Sequence, residues 1–198
     1  GVTKFFRDPE AFEALASPEI MDSLFRSAER EGELRVWCAG CATGEEPYTL
    51  AIALEEERRK RNSTIEIKIF ATDVHRQSLD YAGRGVYVED ALLEVNEDLK
   101  NRYFKDLGNG TWKVTSEIRQ SVIFAYHNVI KSAPFTRMDL VTCRNLLIYF
   151  RPVAQKKAVS LFHFGLRTGG VLFLGPSETP GDLLDEFESI DTHWKIYR

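Results

Sequence analysis

The chain has 198 residues, 43% of them hydrophobic and 28% charged, the makeup of one globular domain able to bury a substantial core. Its net charge of −4 gives no global pull toward nucleic acid or anionic membranes. Neither a run of membrane-spanning length nor a secretory signal pattern is visible, and the three cysteines, Cys38, Cys41 and Cys143, fit a reducing cytoplasmic setting.

The chain opens at Gly1 without Met and runs at once into Val2-Thr3-Lys4-Phe5-Phe6-Arg7-Asp8. This reads as part of a longer protein, beginning on a hydrophobic anchor with a solvated Arg7. Residues 1–33 look helical and amphipathic, with Phe12, Leu15, Ile20, Leu24 and Phe25 at the apolar positions. Residues 34–38 form a short apolar strand, followed by a turn of small residues. A helix starts near Thr43, because Thr43-x-x-Glu46 has the capping-box pattern and Pro47 suits a first turn. It becomes solvated over residues 55–61. Residues 65–71 alternate as a second strand ending in Thr72-Asp73, and 78–82 read as a short helix. Residues 84–120 are the least regular, with a helix over 96–104 and a hairpin turn at Gly108-Asn109-Gly110. Residues 122–126 and 138–142 are further strands. A helix opened by Pro152 runs to about Leu166, and Gly169-Gly170 separates it from a strand over 171–174. A short helix over 183–187 and a strand over 194–197 end the chain. Strands and helices alternate, so the class is α/β with a mostly parallel sheet.

Four places carry chemistry. The first is the turn after the first strand, where Gly40 and Gly44 let a ligand approach the backbone. A phosphate-bearing cofactor wants bare amides and positive charge at such a helix start. Here Glu45 and Glu46 stand instead, which favours a ligand with a cationic end, such as S-adenosylmethionine (SAM), over a dinucleotide. Glu45 is the carboxylate assigned to the ligand, and Glu46 is read as the capping residue. Cys38-x-x-Cys41 lies in the same turn and matches redox and zinc spacing, but no second pair or nearby His completes a site, so both read as packing residues.

The second is Asp73, which either accepts the ribose hydroxyls of a nucleoside or caps the helix after it. The third is Tyr126-His127-Asn128-Val129, where Asn128 can bond an adenine edge, and where His127 is a weak candidate base. The fourth is Arg144-Asn145, followed by Tyr149-Phe150. Arg144 at a strand end suits a bound carboxylate, or else an internal salt bridge.

Together these pieces resemble the chemotaxis receptor glutamate methyltransferases, the CheR family. The matching segments are Val2-Thr-x-Phe-Phe-Arg7, Gly44-Glu-Glu-Pro-Tyr48, Ala71-Thr-Asp73, Asn128, Arg144-Asn-x-x-Ile-Tyr-Phe150 and Gly175-Pro-Ser-Glu178, in the family's order across nearly the whole chain. Their wording is similar to that of methyltransferase domains fused to a receptor methylesterase. The resemblance implies a Rossmann-like SAM-dependent methyltransferase fold filling residues 1–198, with a mostly parallel central sheet flanked by helices. A small antiparallel β-subdomain, over about 105–126, docks a receptor tail peptide in some members.

The implied activity is methyl esterification of glutamates on the cytoplasmic domains of methyl-accepting chemoreceptors, with S-adenosylhomocysteine (SAH) as product. Neither nucleic acid nor membrane insertion is implied. The implied cofactor contacts are Thr3, Arg7, Glu45, Asp73, Asn128, Val129, Arg144 and Asn145. Arg7 or Arg144 would place the substrate carboxylate and Tyr149 would shape the methyl channel. No metal is expected. Because a carboxylate is already anionic at neutral pH, no general base is needed. The family usually has Asn where Gly1 stands, and its N-terminal helical domain is missing from this sequence. The competing readings are a non-catalytic SAM sensor and a methyltransferase of the same fold acting on another substrate.

Overall fold

The computed structural model describes residues 3–198. Seven strands form one sheet in the order β6-β2-β1-β7-β8-β10-β9. They are β1 (Glu33–Ala39), β2 (Glu66–Asp73), β6 (Val122–Tyr126), β7 (Met138–Cys143), β8 (Leu166–Leu174), β9 (Ser189–Asp191) and β10 (Ile196–Tyr197). The first five in that order run parallel, while β10 is antiparallel to both β8 and β9. The apolar runs have a simple cause. Every residue of β7 is buried, as a parallel strand covered on both faces requires.

Strand order reverses between β1 and β7, and in open sheets of this kind a crevice opens there at the carboxyl ends. The helices α1 (Pro9–Leu15), α2 (Pro18–Glu31), α3 (Glu45–Lys60), α4 (Arg76–Arg84), α5 (Glu97–Tyr103), α6 (Ser116–Gln120) and α7 (Pro152–Gly165) connect and cover the strands. The buried side chains form two clusters, one including Leu24, Leu50 and Val36, the other Trp37, Val141 and Phe162. Asp139 ties four elements together: it accepts from Ser27 Oγ at 3.2 Å and from the Arg35 amide at 2.9 Å, and pairs with Arg167. Among the described residues no helix is long and apolar enough to cross a membrane.

A second sheet of three antiparallel strands, ordered β3-β5-β4, is made by β3 (Val86–Val88), β4 (Phe104–Gly108) and β5 (Thr111–Val114). The expected Asn109-Gly110 hairpin is its β4–β5 turn. The expected β-subdomain over about 105–126 is thus shared between two sheets: the small sheet reaches back to Val86, whereas Val122–Tyr126 is the edge strand of the large one.

Other expectations change too. The capping box at Thr43-x-x-Glu46 does not form, because Gly44 takes the N-cap at φ 98 and no side chain caps the helix. Residues 55–61 are not simply solvated, since Glu55 is buried and held by Arg58 at 2.6 Å and Arg59 at 3.2 Å. Gly169-Gly170 does not divide helix from strand but lies inside β8, where the register against β7 shifts.

Candidate functional site

Two small cavities meet where β1, β2, β6 and β7 end. One, about 160 Å³, is lined by Gly40, Asp73, His127, Asn128, Val129, Leu146 and Phe150, among others. The other, about 100 Å³, is lined by Thr3, Lys4, Arg7, residues 38–42, Glu46, Arg144 and Asn145. Gly40 belongs to both. Its φ is 73, and a Cβ there would stand 2.8 Å from Leu146 Cδ2, so a larger residue would strain the turn and crowd Leu146. The Gly40 and Cys41 amides both donate to the Thr72 carbonyl at 2.9 Å, which fastens the turn to β2.

In the first cavity Asp73 accepts from the Ala42 amide at 2.8 Å and the His75 amide at 3.0 Å. It is not the cap of α4; His75 Nδ1 fills that role for the Ser78 amide. Asn128 Oδ1 accepts from the amides of Ile130 and Lys131, which shapes the loop after β6. Val129 is buried beside it. His127 is a packing residue: its Nε2 faces the Ala133 carbonyl at 2.7 Å and its ring meets Trp37 edge-on.

The second cavity is framed by charge. The Arg144 side chain is 1% exposed, with Nη1 3.0 Å from Glu46 Oε1 and Nη2 3.2 Å from Asp8 Oδ2. Its guanidinium also lies 4.6 Å from the centroid of Phe173. Arg144 therefore does make the internal salt bridge, with Nε still lacking a partner among the described residues. Arg7 lines the same cavity and has no ion-pair partner among the described residues. Thr3 and Asn145 complete the wall, whereas Val2 of the N-terminal motif lies outside the described residues, as does Gly1.

The structure thus gathers Asp73, Asn128 and Val129 at one cavity and Thr3, Arg7, Arg144 and Asn145 at the other. Glu45 and Tyr149 line neither. Tyr149 is 74% exposed, on the 3₁₀ turn Leu147–Tyr149. Glu45 is 5% exposed and accepts from the Thr43 hydroxyl. The wall carboxylate is Glu46, because the left-handed Gly44 starts the helix with Glu45 turned inward. Cys38 and Cys41 are buried, and burial raises both thiols, which disfavours the thiolate a metal or redox partner needs. The described residues contain no cluster able to hold a metal.

Burial likewise pushes the Glu45 carboxyl up from its ordinary value, only partly offset by the Thr43 hydroxyl. Folding then disfavours the charged form, so the native state loses stability as pH rises from the ordinary carboxylate range through the raised value. Glu45→Gln should raise the melting temperature at neutral pH, by roughly 2–4 °C for each kcal/mol recovered. In acid the gain should vanish, and ligand binding should survive. Glu46→Gln should instead weaken ligand binding. Thermal melts at neutral and acidic pH check the first expectation; a neutral-pH melt unchanged by Glu45→Gln contradicts it.

Two polar side chains outside the predicted set also shape this region. Glu178 accepts from the Asn145 amide, and Gln155 donates to the carbonyls of Leu147 and Phe150. The Gly175-Pro-Ser-Glu178 motif pointed to Glu178 without a role, and nothing in the sequence marked Gln155.

A family model described as "CheR methyltransferase, SAM binding domain" matches residues 1–196. The chain is 44% identical over 197 residues to a 104.1 kDa protein from the hypE 3′ region of Rhodobacter capsulatus, covering 100% of this chain and 20% of that protein. It is 36% identical over 181 residues to chemotaxis protein methyltransferase 2 of Vibrio cholerae, covering 89% of this chain and 62% of that one. The chain therefore spans less than two thirds of either relative. A structure of PKMT2 from Rickettsia typhi in complex with AdoHcy aligns with 88% of this chain and 26% of its own, at a TM-score of 0.47 and 11% identity.

Proposed function

Since the chain belongs to the CheR methyltransferase family, we propose that it transfers the methyl group of SAM to glutamate carboxylates of chemoreceptors, forming methyl esters and SAH. The observation that carries this reading is the pair of cavities that share Gly40 in their walls, with Asp73 in one and the Arg144–Glu46 pair in the other. Such a pair fits a ligand with a nucleoside at one end and a zwitterion at the other. Asp73 would accept the ribose hydroxyls, Asn128 and Val129 would face the adenine, and the methionine end would lie among Thr3, Arg7, Glu46, Arg144 and Asn145. The buried, unpartnered Nε of Arg144 is a donor available to a ligand carboxylate.

When bound, SAM supplies an electrophilic methyl on sulfur. The chain's own contribution is orientation and electrostatics. With both Nη atoms of Arg144 engaged by Asp8 and Glu46 and its Nε left for the cofactor, Arg7 is the cation best suited to hold the incoming carboxylate. Tyr149, exposed on the turn that carries Leu146, would meet the substrate from outside. The implied partners are the cytoplasmic domains of methyl-accepting chemotaxis proteins, which would place the protein in the cytoplasm.

Radiolabelled methyl transfer onto receptor cytoplasmic fragments tests the proposal, with base-labile label expected for an ester. Tight SAM binding without label in any receptor fragment would instead favour a sensing module.

A further inference from the structure

The turn after β7 serves two sides of the molecule. Asn145 lines one cavity of the pair, and Leu146 and Phe150 line the other. Leu147 and Ile148 face a separate groove along α7 of about 430 Å³. Asn145 is held at φ 63, in the left-handed region that Asn tolerates better than most side chains.

Two side chains hydrogen-bond the backbone of this turn. Buried Glu178 accepts from the amides of Asn145 and Gly175 through Oε1, both at 2.8 Å, and from the Ile148 amide through Oε2 at 3.2 Å. Gln155 Nε2 donates to the Leu147 carbonyl at 2.8 Å and the Phe150 carbonyl at 3.0 Å. One side chain thus offers only acceptors to the turn's amides, and the other offers donors to its carbonyls. Gly175 makes room for this arrangement. A Cβ there would stand 2.6 Å from Glu178 Oε1 and 2.9 Å from the Asn145 amide nitrogen.

We propose that Glu178, seconded by Gln155, is a positioning residue for the methyl-transfer site. It holds Asn145 in the wall of the cofactor cavity and fixes the turn that presents Tyr149. The proposal rests on reading the paired cavities as the SAM site. A buried carboxylate suits the task because it can accept from several amides at once, whereas an amide side chain has a single accepting oxygen.

The test is calorimetry with SAH on the whole chain, together with the kcat and KM of methyl transfer and thermal melts. The variants are Glu178→Ala, Glu178→Gln and Gly175→Ala. Below the melting temperature, Glu178→Ala should weaken SAH binding by about tenfold or more and lower kcat. Glu178→Gln should recover part of the binding, since its carbonyl oxygen can still accept from Asn145 and Gly175. Gly175→Ala should reproduce the Glu178→Ala defect by pushing the carboxylate and Asn145 apart. If Glu178→Ala does not fold, the other two variants carry the test. Folded variants with lowered melting temperatures but native SAH affinity and kcat would reduce Glu178 to a structural role and overturn the proposal. Failure of the wild-type chain to bind SAH would overturn the SAM-site reading instead.

Discussion

Asp73→Ala is expected to cost about 100-fold or more in SAM and SAH affinity. In the proposed complex the carboxylate would accept both ribose hydroxyls, and hydrogen bonds to a charged group contribute roughly 1.5–3 kcal/mol each. The same carboxylate already accepts from the Ala42 and His75 amides, so its loss also slackens the turn containing Gly40. Asp73→Asn separates the two effects. It keeps an oxygen for the Ala42 amide but turns its NH2 toward the His75 amide and has no charge, so it should fall between the wild type and Asp73→Ala in affinity while melting above Asp73→Ala. Calorimetry with both ligands gives the answer, and native affinity in Asp73→Asn would remove Asp73 from the cofactor site.

Arg144→Ala is expected to damage folding and binding together. Taking away one partner of a buried ion pair costs about 3–5 kcal/mol, because the charges left behind are stranded. Here Glu46 is mostly buried and Asp8 half-exposed, so Glu46 would carry most of that penalty. For a domain of this size such a loss lowers the melting temperature by roughly 6–20 °C. Arg144→Lys should not rescue it. A single ammonium cannot reach both Asp8 and Glu46 with a planar fork, nor lie over Phe12 and Phe173 as the guanidinium does. Denaturant unfolding and SAH calorimetry on both variants test this, and wild-type stability in Arg144→Ala would refute it.

Much of the sheet was legible because parallel strands are short apolar runs. Residues 122–126 were read with the bounds observed for β6, and the Asn109-Gly110 turn revealed its hairpin. Strand β3 was not legible, since three residues gain strand character only by pairing with β5. The Gly169-Gly170 pair misled for a specific reason. A Cβ at Gly170 would stand 2.9 Å from the Arg167 carbonyl and 3.1 Å from the Met138 carbonyl, so glycine serves a close strand approach there and not a turn.

The candidate site divides in the same way. Asp73, Asn128 and Arg144 stand at strand ends, where the pattern of the fold shows them. Which of Glu45 and Glu46 faces the cavity depends on the backbone at Gly44, which spacing does not encode. Glu178 meets Asn145 across 33 positions, a contact that no local pattern reveals.

The order of the strands bears on how the chain is made. On a ribosome working at about 5–20 residues per second, β1 can pair with β2 early. Its other edge waits for β7, since Val36 pairs opposite Leu140. For several seconds the nascent chain therefore presents the open edge of an apolar strand, the surface that chaperones recognise and that aggregation exploits. The sheet is complete only when β8, β9 and β10 have also emerged. Contacts this distant in sequence make folding slow and cooperative, so the domain forms as one unit late in its synthesis.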